Sequence, residues 1–337
     1  MADDEEYEMA ATVPIGGSGN NVSSVATTLI TYPFEYVKTL IQIGYEPLPS
    51  HPTRNIFGHP RMALPNVFTY LGFIIRQEGH ILAIYRGLPY YLVSRQIHDF
   101  VYDYLQRCLT NRLAPPEPTH VDVGTSPAPI TGVVTLKNDS PKSLAVRLKQ
   151  FVVSNWTGAL KNLTLVLVVE GSSKLGASIC SYPFHLLSVR SCCQFVGKEN
   201  IYDSPITGIK DIINNEGPSG FYSGFVPQVT GEVLQIVITK SVEIYVIKKL
   251  FSGDSNQSLW ASTCLRFIVP SFLYRFKVLS KVMMVNSCES LEASRLEPHY
   301  IDWLDCWQQM SRLDSMKRGS SLFFRYEPRS RFSKLSH

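Results

Sequence analysis

No two cysteines in this chain stand at CxxC spacing, and no histidine falls where it would complete a metal set with one. The seven thiols, Cys108, Cys180, Cys192, Cys193, Cys264, Cys288 and Cys306, therefore read as free cysteines in helices, in a reducing compartment or in lipid. Charge is also scarce: Asp, Glu, Lys and Arg make up 18% of the chain, against about a quarter in ordinary soluble domains. The net charge of +4 is modest, and the bases are scattered through apolar stretches rather than clustered with aromatics, which argues against a nucleic-acid partner. The opening MADDEEYEM holds five carboxylates and no base, which argues against a secretory signal or an Arg-rich presequence, so targeting is expected to be internal. There is no Ser/His/Asp arrangement, phosphate loop or metal cluster. No catalytic residue, metal or cofactor is assigned, and the chain is not expected to be an enzyme; Glu232 and Glu243 share a helix face, where a structural role is far commoner than acid/base work. Finally, no clean membrane span appears. Yet aromatics reach 11% and the mean hydropathy is neutral, which suits a membrane protein with a wet interior.

What the chain does contain is a repeat. TYPFEYVKTLIQ at 31–42 returns in degraded form as SYPFHLLSVR at 181–190 and LYRFKVLSKV at 273–282. Each copy lies late in a long, largely apolar helical stretch. Each is followed by a glycine-aromatic signature: EGHILAIYRG at 78–87, EGPSGFYSG at 216–224 and RGSSLFFRY at 318–326. Two linked motifs recurring three times in one order define an internal threefold unit rather than two or three unrelated domains.

Polar stripes run along the helical stretches. Val22–Ile43 carries Thr28, Thr31, Glu35, Lys38 and Gln42 at steps of three or four, a helix of spanning length with one polar face. Residues 46–65, with five prolines and two histidines, read as an irregular loop, and Phe68–Gln77 as a short amphipathic helix. A second long helix, about 88–109, carries Ser94, Arg95, His98, Asp99, Tyr102 and Gln106. A third lies within 160–195, where Lys174, Ser178, Ser181, His185, Ser188 and Cys192 are spaced 4, 3, 4, 3, 4. Residues 206–214 and 301–310 read as further short amphipathic helices. Helix four, about 227–250, is apolar apart from Glu232, Gln235, Thr239, Lys240 and Glu243. Helix five, about 259–286, places Arg266, Pro270, Tyr274, Lys277 and Lys281 on one side. The expected organisation is an acidic disordered tail at 1–20, repeat one at 21–110, a proline- and serine-rich linker at 111–145, repeat two at 146–250 and a truncated repeat three at 251–337. After Tyr326 only 11 residues remain, which at about 1.5 Å each would span about half a bilayer core, so a sixth long helix is not expected.

A Pro-x-acid-x-x-base motif late in a long helix, a short helix, then acid-Gly, aromatic, base-Gly and a second long helix resembles the mitochondrial solute-carrier superfamily. The match is close for TYPFEYVKTLIQ with EGHILAIYRG, good for repeat two and loose for repeat three. YVKTLIQIGYEPLP, FFRYEP and the lack of a last helix make it most similar to the mitochondrial carrier homolog family, an outer-membrane offshoot. The resemblance implies an all-α, three-repeat, carrier-like bundle without its sixth transmembrane helix, multi-pass in the mitochondrial outer membrane. It also implies a role in inserting tail-anchored and other helical membrane proteins, with links to apoptosis and lipid handling. Implied partners are outer-membrane lipids, such client proteins and pro-apoptotic proteins.

In a working carrier, the resemblance implies, acids and bases on the three odd helices pair in a ring that gates transport. Here the kink positions hold Pro33, Pro183 and Arg275, the acid positions Glu35, His185 and Lys277, and the base positions Lys38, Ser188 and Ser280. One acid and one base survive, so a closed ring cannot form, and Glu35 and Lys38, three apart, can pair with each other. Five helices would leave a seam through which the polar interior meets lipid. Intramembrane charge is costly and marks a pathway. The expected groove residues are Glu35, Lys38, Arg95, Asp99, Glu170, Lys174, Arg190, Glu232, Lys240, Arg275, Lys277 and Lys281, with Pro33 and Pro183 as kinks. A residual solute carrier, a docking receptor using the 46–65 and 111–143 loops, and lipid scrambling are the alternatives.

Overall fold

The structure is a computed structural model and describes residues 21–54, 60–113, 156–244 and 255–327. The acidic tail, nearly all of the expected linker at 111–145 and the end of helix four fall outside them. The fold is helical. The long helices are α1 (Asn21–Gln42), α3 (Leu88–Leu113), α4 (Trp156–Cys193) and α6 (Phe225–Val242), with the fifth expected helix present as α7 (Ser255–Phe272) and α8 (Tyr274–Asn286). Three short helices, α2 (Val67–Glu78), α5 (Pro205–Asn215) and α9 (Trp303–Arg312), follow the first, third and fifth stretches. Their ends are coded locally: Asn66 accepts from the Thr69 backbone N–H at 2.9 Å to start α2, and Gly79 ends it in the left-handed region.

Pro33 and Pro183 lie inside α1 and α4 without ending them, so each helix loses one backbone hydrogen bond at the repeated motif. Repeat three has Arg275 there instead. Its proline is Pro270, and the helix breaks at Leu273, which divides the continuous helix expected over 259–286.

The packed core lies where the C-terminal halves of α1, α4 and α8 converge on the short helices. Tyr36, Val37, Leu40, Tyr70, Ile74, Leu186, Tyr202, Ile212, Met284 and Val285 form the main cluster. A second cluster, with Val278, Leu279, Val282, Tyr300, Cys306 and Met310, seats α9 on α8. Outward faces are apolar: Ile30, Phe100, Trp260, Phe267 and Phe272 are all more than two-thirds exposed. Among the described residues, one stretch, Leu163–Cys193, is long and apolar enough to cross a membrane on hydropathy alone, because the other long helices dilute their apolar faces with polar stripes.

Residues 46–65 are not an irregular loop. They contain a hairpin, β1 (His51–Arg54) and β2 (Pro60–Leu64), and β2 also pairs with β3 (Arg325–Tyr326), Ala63 opposite Tyr326 and Leu64 opposite Arg325. Whereas Gly87 and Gly224 lead into α3 and α6, the chain after Gly319 runs without helix through 320–324 into this strand. Arg325 is buried, ion-paired with Glu46 and donating to the Pro65 carbonyl at 2.9 Å, and Phe323 lies against Phe68. A strap across the first repeat thus stands where a sixth long helix would begin.

Candidate functional site

Each repeat closes on the next through the same contact. The hydroxyls of Tyr32, Tyr182 and Tyr274, the residues just before the three kink positions, donate to the carbonyls of Arg86, Ser223 and Arg318 at 2.7, 2.6 and 2.8 Å. The following glycines, Gly87, Gly224 and Gly319, all have positive φ. Gly87 sits against α4, where a Cβ would come within 2.8 Å of the Ser188 carbonyl; Gly224 sits against Ser280 of α8; Gly319 sits against Ile41 and Gln42 of α1. One, two, three and back to one, the ring is closed at this end of the bundle. Sequence reading missed these clasps, although Tyr and Phe recur in every copy of the first motif, and it set RGSSLFFRY against the whole of EGHILAIYRG; the clasps instead place Arg318–Gly319 where Arg86–Gly87 and Ser223–Gly224 end their signatures.

Above the clasps the polar stripes form levels. Nearest the core, Lys38 pairs with Glu35 at 3.2 Å, as their spacing allows, and Lys281 of α8 donates to Thr39 of α1 at 2.7 Å. In the middle, Lys277 is exposed to solvent, yet it lies within electrostatic reach of Lys38 and Glu35 on α1, Lys174 on α4 and Glu232 on α6. An exposed side chain within reach of charges from three other helices marks an accessible, polar bundle centre. Glu232 accepts from Ser178 at 2.7 Å and from Gln228 at 3.1 Å. At the far level, Lys240 bridges to Glu170 at 2.9 Å, and Arg266 reaches Glu243 at 3.4 Å, linking α4, α6 and α7. Arg95 and Asp99 are exposed on α3, and Arg275 is exposed at the start of α8.

Arg190 departs from expectation. Its side chain is 0% exposed, ion-paired through both terminal nitrogens with Glu216 at 2.5 and 2.8 Å and bonded through Nε to the Met284 carbonyl. It fastens the second glycine signature to α4 and α8 inside the core and does not line the groove. The geometry also explains why no gate ring can form. Ser188 and Ser280, at the two base positions that lost their charge, donate to the carbonyls of Gly87 and Gly224 at 3.0 and 2.8 Å, so these hydroxyls serve the clasps.

Comparison with known proteins agrees with this architecture. Residues 161–254 match the family model for mitochondrial carrier protein. Mitochondrial carrier homolog 2 of Mus musculus is 28% identical over 311 residues, spanning 89% of this chain and 91% of the relative, with the same figures for the Homo sapiens protein. The chain is similar to mitochondrial carrier homologs along nearly its whole length. Mitochondrial carrier homolog 1 of Mus musculus is 27% identical over 341 residues, covering 92% of this chain and 79% of that protein. The all-α carrier-like bundle expected from the repeat is thus the fold observed, and its second repeat carries the matched family model.

Proposed function

We propose that the protein is a multi-pass insertase of the mitochondrial outer membrane, passing tail-anchored and other helical clients into lipid through a lateral polar groove. The observation that carries this reading is Lys277: an exposed charged side chain among charges from three other helices, in a bundle whose outer faces are apolar. A polar translocating tail meets fixed charge in the groove, while the client's apolar body leaves sideways between α1 and α7. The groove lowers the desolvation barrier of the polar tail, and no covalent chemistry is required.

Solute exchange is the weaker reading, because two of its three gate bases are serines already bonded to glycine carbonyls. For a docking receptor, the strap covers one edge of the 46–65 hairpin while β1 stays exposed, and residues 114–143 lie outside the described residues. Purified protein in liposomes with a tail-anchored client tests the insertase reading. Glu232→Arg and Lys38→Glu are expected to change insertion at least severalfold, the scale of displacing a partly buried charge. Unchanged insertion by both variants would sink the groove mechanism, and saturable solute exchange would favour transport instead.

A further inference from the structure

The groove charges are not balanced. Among the described residues, Lys174 and Lys277 have no ion-pair or hydrogen-bond partner, whereas the two nearby carboxylates are already engaged, Glu35 by Lys38 and Glu232 by Ser178 and Gln228. Over the two levels nearest the core, four lysines, Lys38, Lys174, Lys277 and Lys281, stand against two glutamates, Glu35 and Glu232. Lys174 stands on α4 beside Glu232 and Lys277 on α8, so the two unpartnered ammonium groups come from different helices and lie within electrostatic reach of each other. Their long stems keep the charged ends mobile enough to follow a passing group. A fixed cationic excess at an exposed polar site discriminates by the sign of the charge that approaches it.

We propose that this lysine pair makes the groove selective for clients whose translocating tails carry carboxylates, with Lys174 and Lys277 as the transient counter-ions. This rests on the insertase reading and adds to it a substrate class. Carboxylate side chains in a tail find partners during passage, neutral amides pass with less help, and lysines in the tail are repelled. Each accessible pair supplies about a three- to fivefold preference. Because the site is wet, the preference falls as salt rises.

The test uses the full chain in neutral phosphatidylcholine vesicles and three clients, each an identical leucine-alanine transmembrane segment followed by a short tail bearing two Asp, two Asn or two Lys. The expected order of insertion rate is Asp, Asn, Lys. The double variant Lys174→Glu with Lys277→Glu is expected to invert it, and Lys174→Gln with Lys277→Gln to flatten it, with each variant's thermal melt recorded to show that it folds. Equal insertion of all three clients by the wild-type protein overturns the selectivity and leaves the insertase reading standing. Failure of all three overturns both. A preference that survives both double variants, or that appears only when anionic lipid is added, also overturns the assignment, the second case locating the carboxylate effect in the lipid surface.

Discussion

Arg190 and Glu216 show what a single pair does in this chain. Both are removed from water, and the guanidinium also holds the Met284 carbonyl, so the pair ties α4, α8 and the second signature together. Arg190→Met strands Glu216 and is expected to cost about 3–5 kcal/mol in chemical denaturation, whereas adding Glu216→Gln recovers much of the loss. The three clasp tyrosines act alike, and Phe at 32, 182 or 274 is expected to lower stability by about 0.5–1.5 kcal/mol each. A clear outlier among the three in denaturation would break the threefold equivalence. Cys306, on the short α9, has its thiol pushed up to about 12 by burial, with Glu297 and Asp305 adding to the effect. The native state therefore holds its proton where the unfolded state loses it. This contribution to stability is intact below about pH 9, the ordinary thiol value, and is lost as pH rises towards 12. Denaturation at pH 8 and pH 10 checks the sign, and Cys306→Ala is expected to flatten this part of the profile.

At the scale of elements, the glycine turns are the tightest joints. Gly224 combines positive φ with contact against the α8 backbone, so Gly224→Ala is expected to cost at least about 1–2 kcal/mol in thermal unfolding. Gly79 has positive φ but open space around it, so Gly79→Ala is expected to cost only the backbone strain. The strap is a testable element too. Ala63 and Tyr326 face each other across β2 and β3, and cross-strand partners lie about 4.5–5.5 Å apart at Cα, within disulfide range. Ala63→Cys with Tyr326→Cys is expected to cross-link on mild oxidation, read as a gel shift. The sequence reading missed this sheet because its strands lie about 260 positions apart and the hairpin is rich in proline. Pro52 sits on the edge strand and Pro60 opens β2, the two places where a missing N–H is tolerated.

Across the whole molecule, two ends behave differently. The core end is closed by three clasps, two hydrophobic clusters and the strap, while the polar stripes above it are charged and partly exposed. Rigidity at one end lets the other stay polar without collapse, since the apolar burial that stabilises the bundle is concentrated around Tyr36, Leu40, Leu186 and Met284. Leu40→Ala should therefore destabilise the protein by about 2–5 kcal/mol, measured by denaturation, through a cavity in this cluster.

The sequence by itself determined the repeat, the helical class, the polar stripes and the decay of the gate positions. All of these are local patterns written in residue type and spacing, and even the Glu35–Lys38 pair followed from a separation of three on one helix. Only the tertiary structure decided which stripe residues meet. Arg190 and Lys174 carry like charge on the same helix, but one is sealed against Glu216 and the other lies in the groove system, because its neighbours come from elements far away in the chain. The strap and the clasps belong to the same class of fact: their partners lie 41 to 279 residues apart, and no local preference encodes a meeting at that distance.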